Sequence, residues 1–265
     1  MAAEVARQTI DVPRPSRDSA PSTRGTYIES PGSTPEASRA RHGNALRAGV
    51  LGSTDGLVSN LCLVMGVAGS GAPHQAIVVA GLAGLVAGSL SMALGEYLSV
   101  QSARELLANE LRIEAGQLAA SPDAEVAELR EIYERKGIPP QMAADLADHM
   151  VRSDPGLALD TMAREELGFD PDDLGGSAWV AGGTSLVLFA LGALVPLLPF
   201  LFVDGQVALV AAAGLSGLAL FGLGAGITRL TAIHPVRSGL RQLAFGALAA
   251  AITYGIGIAV GTVFC

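Results

Sequence analysis

The sequence has few of the residues that identify the common classes of soluble protein. Its 265 residues include two cysteines, four histidines and one lysine, and aromatic side chains make up only 5%. Cys62 and Cys265 cannot form a disulfide framework, and no Cys/His spacing is typical of a zinc site. A net charge of −8 argues against a general nucleic-acid-binding protein.

Apolar residues are abundant instead. Hydrophobic side chains make up 50% of the chain, the mean hydropathy is +0.43, and there are 33 glycines. This composition is too apolar for an ordinary soluble domain of the same length. Small residues are typical of closely packed membrane helices, so the composition predicts an integral membrane protein.

Five apolar runs are long enough to cross a hydrocarbon core of about 30 Å, at about 1.5 Å per helical residue. They cover residues 46–68, 76–100, 179–203, 206–230 and 240–264. The short, breaker-rich link between the first two runs makes them an antiparallel hairpin. We therefore predict an all-α, polytopic membrane protein with five transmembrane helices.

Two polar regions accompany these runs. Residues 1–43 are rich in Ser, Pro, Thr and Arg and predict a disordered cytoplasmic tail. Residues 101–177 carry seventeen acidic and seven basic side chains, together with several helix-start and helix-stop signals. They predict a cytoplasmic helical module between transmembrane helices 2 and 3. The predicted domains are therefore 1–43, 44–100, 101–177 and 178–265.

The basic residues all lie on one side of the predicted membrane topology. Seven are in the N-terminal region through Arg47, seven in the acidic module and three at 229–241, which accounts for all 17. The links at 69–75 and 203–206 and the C-terminus have none. By the positive-inside rule, the N-terminus and the module are cytoplasmic, and the C-terminus is outside or luminal.

A polar stripe runs along the second span, where Gly84, Gly88, Met92 and Glu96 recur every four residues on one helix face. Counting from the cytoplasmic ends of the hairpin places Asp55 and Met92 at the same depth, about 12–14 Å into the membrane. A carboxylate inside a membrane helix costs about 2.5–3.5 kcal/mol, so it should face protein, a partner charge or water. Oxygen ligands with one thioether suggest Fe²⁺, with Mn²⁺, Co²⁺ and Zn²⁺ as alternatives.

Each of these residues also has a purely structural interpretation. Met92 alone is more often a packing residue than a ligand. Asp55 could cap a broken helix beside Gly52 and Gly56, and Glu96 could simply reach interfacial water. The matched depth of Asp55 and Met92 is the observation that favours a pore metal site.

The acidic module has a second pattern of candidate ligands. Its helices repeat acidic residues at spacings of three and four, and one helix adds a methionine: Glu110 and Glu114, then Glu125, Glu128 and Glu131, then Met162 and Glu166. Like charges one turn apart destabilise a helix unless a cation screens them. The pattern therefore predicts a divalent-cation site, and the alternative is a solvated acidic face.

Six motifs, in order along the chain, resemble the vacuolar iron transporter family. They are STDGLV at 53–58 and SMALGEY at 91–97, PDAE at 122–125 and EELG at 165–168, and RSGLRQL at 237–243 and TYGIG at 253–257. Each motif is moderately specific alone, but the ordered set is specific, and it spans residues 42 to 263.

The resemblance implies a homodimer of five-helix subunits with a pore at the two-fold axis, which exports Fe²⁺ from the cytosol in exchange for protons. It matches the family's pore aspartate and methionine to Asp55 and Met92. It matches the cytoplasmic metal-binding residues to Glu114, Glu125, Glu128, Met162 and Glu166. A further family glutamate falls near Gln117, where Glu110 is the expected substitute, and Glu96 is the further acid expected in the pore.

We therefore expect a ferrous-ion/proton antiporter without a prosthetic group, in a vacuolar membrane if eukaryotic or an inner membrane if bacterial. Its expected partners are a second copy, the bilayer, divalent metal ions and protons. A Mn²⁺ exporter of the same mechanism and a membrane-anchored metal sensor without flux are the alternatives. A ferroxidase would normally need paired Glu-x-x-His motifs, and His149 of the module has no glutamate three residues before it. We expect no enzyme.

Overall fold

The computed structural model describes residues 35–172, 175–228 and 234–264, with side chains from residue 50 onward. Within these ranges the chain forms eight α-helices and no strand, which confirms the predicted all-α class. The helices are α1 (Pro35–Gly69), α2 (His74–Ala120), α3 (Pro122–Arg135), α4 (Pro140–Ser153), α5 (Pro155–Glu165), α6 (Ala178–Phe202), α7 (Gly205–Gly226) and α8 (Pro235–Phe264).

Five of these helices are long and apolar enough to cross a membrane, as predicted: α1, α2, α6, α7 and α8. With 47 residues, α2 is about 70 Å long and exceeds the hydrocarbon core more than twofold. Its apolar part ends near Val100, and the helix continues to Ala120, within the predicted module. Helix α1 begins at Pro35, inside the predicted tail, and residues 1–34 of that tail lie outside the described residues.

The membrane helices form one compact unit, described by residues 35–99, 177–228 and 234–264. Helix α1 packs against α6, α7 and α8. At two points the backbones of α1 and α6 are in contact, because a Cβ on Gly56 would lie 2.2 Å from the Phe189 carbonyl oxygen, and one on Gly192 would lie 2.1 Å from the Ser53 carbonyl oxygen. Glycine at both positions thus allows the close helix approach that is typical of membrane interfaces.

Residues 100–176 form a second compact unit, and within it α3, α4 and α5 pack together. Its apolar core is formed by Leu129, Tyr133, Ala143, Ala147, Val151 and Met162. The predicted helix signals are confirmed: each of the three helices has proline at its first turn, and Gly137 and Gly168 follow α3 and α5 with positive φ values of 89° and 75°. The cap of α5 is Asp154, whose side chain accepts hydrogen bonds from two backbone amides.

Candidate metal sites

A cavity of about 370 Å³ lies between α1 and α2 in the membrane unit, and Phe189 of α6 closes one side. Its walls include Asp55, Ser59 and Asn60 of α1, and Gly84, Gly88 and Met92 of α2. The two residues that the hairpin was predicted to place at one depth, Asp55 and Met92, therefore line the same space.

The polar groups of this cavity are arranged around Asp55. The Ser59 hydroxyl, one turn later, donates a hydrogen bond of 3.2 Å to Asp55 Oδ1. Both side chains are exposed in the single chain, whereas Met92 is half-buried. A Cβ on Gly52 would lie 3.5 Å from Met92 Cε and 3.9 Å from its sulfur, so the thioether lies against α1 where that helix has no side chain. A carboxylate, a hydroxyl and a thioether thus line one cavity.

Glu96 lies one turn after Met92 on α2 and is half-buried. It is outside the set of residues that line the cavity, although Gly84, Gly88 and Met92 of the same predicted stripe are within it. The stripe therefore contributes to the cavity through three of its four members.

Asn60 is a cavity residue that sequence reasoning missed. Its side chain is only 2% exposed, and its Nδ2 donates a 2.6 Å hydrogen bond to the Ala193 carbonyl oxygen of α6. Its Oδ1 is buried without a hydrogen-bond partner. The available signal was a lone amide in an apolar run, five residues after Asp55.

Three carboxylates meet in the second unit. Glu114 of α2, Glu125 of α3 and Glu166 at the end of α5 each offer an oxygen, and these oxygens all lie within 4.8 Å of one another. Glu114 and Glu125 are 2% and 4% exposed, and each has one buried oxygen without a hydrogen-bond partner. A buried carboxylate oxygen that lacks a donor is costly, so the donor set fits a bound divalent cation.

The electrostatics of this cluster agree with its geometry. Burial raises the pKa of Glu114 to about 7, with a further contribution from the negative charges of Glu166, Glu125 and Glu128. Burial, followed by neighbouring carboxylates, also raises the pKa of Glu125 and of Glu166. The cluster is therefore destabilised when fully ionised, and either a proton or a cation relieves the repulsion.

The remaining predicted ligands of the module occupy different positions. Glu128 is exposed and acts on the three carboxylates through its charge. Glu110 lies one turn before Glu114 on α2 and is outside the group of three. Met162 is fully buried in the apolar core, one turn before Glu166.

Other acidic residues of the module have basic partners. Arg152 pairs with Asp123 and Asp148, and Arg164 pairs with Asp160 and Asp170. Lys136 pairs with Glu165. Among the ion pairs of the described residues, none includes a member of the three-carboxylate cluster, so this negative charge is left for a cation.

Comparison with known proteins gives consistent matches. The VIT family model matches residues 46–258. Vacuolar iron transporter 1 of Oryza sativa subsp. japonica is 35% identical over 221 residues, which cover 83% of this chain and 87% of that protein. Vacuolar iron transporter 1 of Arabidopsis thaliana is 32% identical over 213 residues, 80% of this chain and 84% of that protein. The vacuolar iron transporter of Acanthamoeba castellanii is 35% identical over 213 residues, 80% of this chain and 77% of that protein.

Proposed function

We propose that this chain, which belongs to the VIT family, exports Fe²⁺ from the cytosol in exchange for protons, as a homodimer. The family and the five apolar helices establish a multi-pass membrane protein that transports metal ions. The finer assignment is carried by one observation: Asp55 and Met92, from two different helices, line one cavity in the membrane unit.

The ligand chemistry supports a borderline divalent ion in this cavity. The Asp55 carboxylate supplies charge, and the thioether of Met92 favours softer first-row ions over Mg²⁺ or Ca²⁺. The hydrogen bond from Ser59 holds the carboxylate in one orientation, as outer groups commonly do for metal ligands. Fe²⁺ accepts both kinds of ligand, and the relatives are named iron transporters.

The exposure of Asp55 supports the homodimer. In a lone subunit this carboxylate is exposed on a membrane helix, and contact with lipid would cost about 2.5–3.5 kcal/mol. A second copy related by a two-fold axis would cover it and would contribute a second Asp55 and a second Met92. The resulting enclosed space is the proposed pore.

Proton exchange follows from the same carboxylate. In the proposed cycle, Fe²⁺ from the cytosol binds ionised Asp55, and a proton from the acidic outer side displaces the ion there. Asp55 then returns the proton to the cytosolic side, with Glu96 as the proposed relay, one turn nearer the cytoplasmic end of α2. This cycle assumes the predicted orientation, with the N-terminus in the cytoplasm and the C-terminus outside or luminal.

The second unit is proposed to collect the ion before transport. Glu114, Glu125 and Glu166 hold Fe²⁺ through the three oxygens that lie within 4.8 Å of one another. Glu128 and Glu110 add negative charge, and Met162 is proposed to add its thioether from the end of α5. Because the pKa of Glu114 is raised, metal binding at neutral pH displaces a proton from the cluster.

Metal uptake into liposomes tests this proposal. The purified full-length protein is reconstituted, and Fe²⁺ entry is measured with an acidic interior and without a pH gradient, beside Mn²⁺. We expect gradient-dependent Fe²⁺ uptake and a dimer by cross-linking in the same liposomes. A folded dimer that moves neither ion would contradict transport and would favour a metal sensor; faster Mn²⁺ than Fe²⁺ uptake would favour a manganese exporter.

A further inference from the structure

We propose that Asn60 Oδ1 is a further ligand of the transported cation, a neutral oxygen beyond Asp55 in the same cavity. This inference rests on the proposed function. It concerns a side chain that is almost completely buried and whose amide oxygen has no hydrogen-bond partner.

The orientation of the Asn60 amide follows from its partner on α6. The Ala193 carbonyl oxygen can only accept a hydrogen bond, so the NH₂ group of Asn60 must face it, at 2.6 Å. This bond holds the amide plane and directs Oδ1 away from α6. The oxygen is therefore held in one direction, and only the NH₂ group contacts Ala193.

The space in front of this oxygen exists because residue 84 is glycine. A Cβ on Gly84 would lie 2.8 Å from Asn60 Oδ1 and 2.4 Å from Leu63 Cδ2. Asn60, Leu63 and Gly84 all line the cavity that also contains Asp55 and Met92. The unpartnered oxygen thus lies in the wall of this cavity, against α2 at Gly84, where that helix approaches without a side chain.

The position along α1 gives the oxygen its role. Asn60 comes five positions after Asp55, which is about 7.5 Å along the helix axis. In the proposed orientation it is farther from the cytoplasmic end. A cation released by Asp55 toward the outer side would meet a neutral amide oxygen next. Such a ligand replaces part of the hydration shell but binds weakly enough to let the ion leave.

Two substitutions of Asn60 separate the oxygen from the hydrogen bond. Aspartate and leucine have the same number of side-chain heavy atoms as asparagine and the same branch at Cγ, and both Asn60→Asp and Asn60→Leu remove the NH₂ donor to Ala193. Only aspartate keeps an oxygen in the cavity. In liposomes, we expect Asn60→Leu to lower kcat/KM for Fe²⁺ by about tenfold or more, the size of one lost contact to a charged group. We expect Asn60→Asp to keep a low KM but to lower kcat, because a charged oxygen holds the ion longer.

An equal loss of kcat/KM in both variants would mean that Asn60 matters only through its hydrogen bond to Ala193, and it would overturn the proposal. Wild-type kinetics in both variants would overturn it as well. If wild-type protein moves no ion, Mn²⁺ binding measured by electron paramagnetic resonance replaces flux. In a chain with Glu114→Gln and Glu125→Gln, Asn60→Leu should then weaken the remaining binding about tenfold, and an unchanged affinity would overturn the proposal without reference to transport.

Gly84→Ala provides an independent test that leaves Asn60 in place. The end of the Leu63 side chain can move aside, so the new methyl group would crowd Asn60 Oδ1 without breaking the fold. Gly95→Ala is the matched control on the same helix, because a Cβ there meets no atom within 4 Å. We expect Gly84→Ala to lower kcat/KM for Fe²⁺ and Gly95→Ala to leave it unchanged. Equal kinetics in the two variants would contradict a ligand at this position.

Discussion

Asp55 of α1 and Met92 of α2 line the same cavity, although 37 positions separate them in the sequence. The turn at residues 70–73 makes this possible, because it returns α2 alongside α1. The pairing places a carboxylate and a thioether beside one space within the membrane unit. It is the geometric basis for the predictions about selectivity and transport.

Met92→Leu should change the ion preference more than the fold. Leucine has a similar volume but no sulfur, so we expect kcat/KM for Fe²⁺ to fall about tenfold, with a smaller loss for Mn²⁺, which prefers oxygen ligands. Parallel flux measurements with both ions test this. Met65→Leu is the matched control, since Met65 of α1 lines a separate apolar cavity. Equal losses for both ions would indicate that Met92 only packs.

Glu114→Gln should stabilise the metal-free module while it weakens metal binding. Removing one of three clustered charges relieves repulsion, and we expect a gain of about 1–2 kcal/mol in the opening free energy of α3 and α5 above neutral pH. Hydrogen exchange of the full-length protein measures this locally. In the wild-type protein we expect Fe²⁺ binding to slow hydrogen exchange in the module, and this effect should be lost in Glu114→Gln. Glu131→Gln, exposed on the same unit, should change neither quantity, and identical behaviour of the two variants would argue for a solvated acidic face.

Metal binding to the module should depend on pH around the raised pKa of Glu114, which burial and neighbouring carboxylates bring to about 7. Below this value a proton competes with the metal, and we expect affinity to fall up to about tenfold per pH unit. Without metal the folded module binds more protons than the unfolded chain, so its stability should fall as pH rises from about 4.5 to about 7. Calorimetry in buffers of different ionisation enthalpy measures the released proton, and a pH-independent affinity without proton release would contradict the cluster.

Gly192→Ala should destabilise the membrane unit. The new Cβ would lie 2.1 Å from the Ser53 carbonyl oxygen, and backbone cannot move aside cheaply, so we expect a loss of about 1–3 kcal/mol or more. Gly183→Ala on the same helix meets no atom within 4 Å and should cost nothing. The stabilities of the two variants are compared by unfolding them in a titration with a denaturing detergent. Equal unfolding would mean that α1 and α6 do not approach as closely as the structure places them.

The five spans and the pairing of Asp55 with Met92 could be predicted, because run length and residue count determine depth in a hairpin. Asn60 could not be, since its orientation depends on Ala193, 133 residues later. Periodicity also placed Glu125 and Glu128 on one face of α3, but it did not reveal that Glu125 is buried and Glu128 exposed. That difference depends on how α3 packs, and helix packing is not encoded by local spacing.

We propose that Asp55 exchanges Fe²⁺ for protons within the membrane. The most direct test records Fe²⁺ entry and interior pH together in liposomes with an acidic interior, for wild-type protein, Asp55→Asn and the exposed control Asp145→Asn. We predict that Fe²⁺ entry and proton exit occur together in wild type and Asp145→Asn, and that both cease in Asp55→Asn while the dimer remains folded. Fe²⁺ entry at the wild-type rate in Asp55→Asn, or Fe²⁺ entry without proton exit in wild type, would contradict this mechanism.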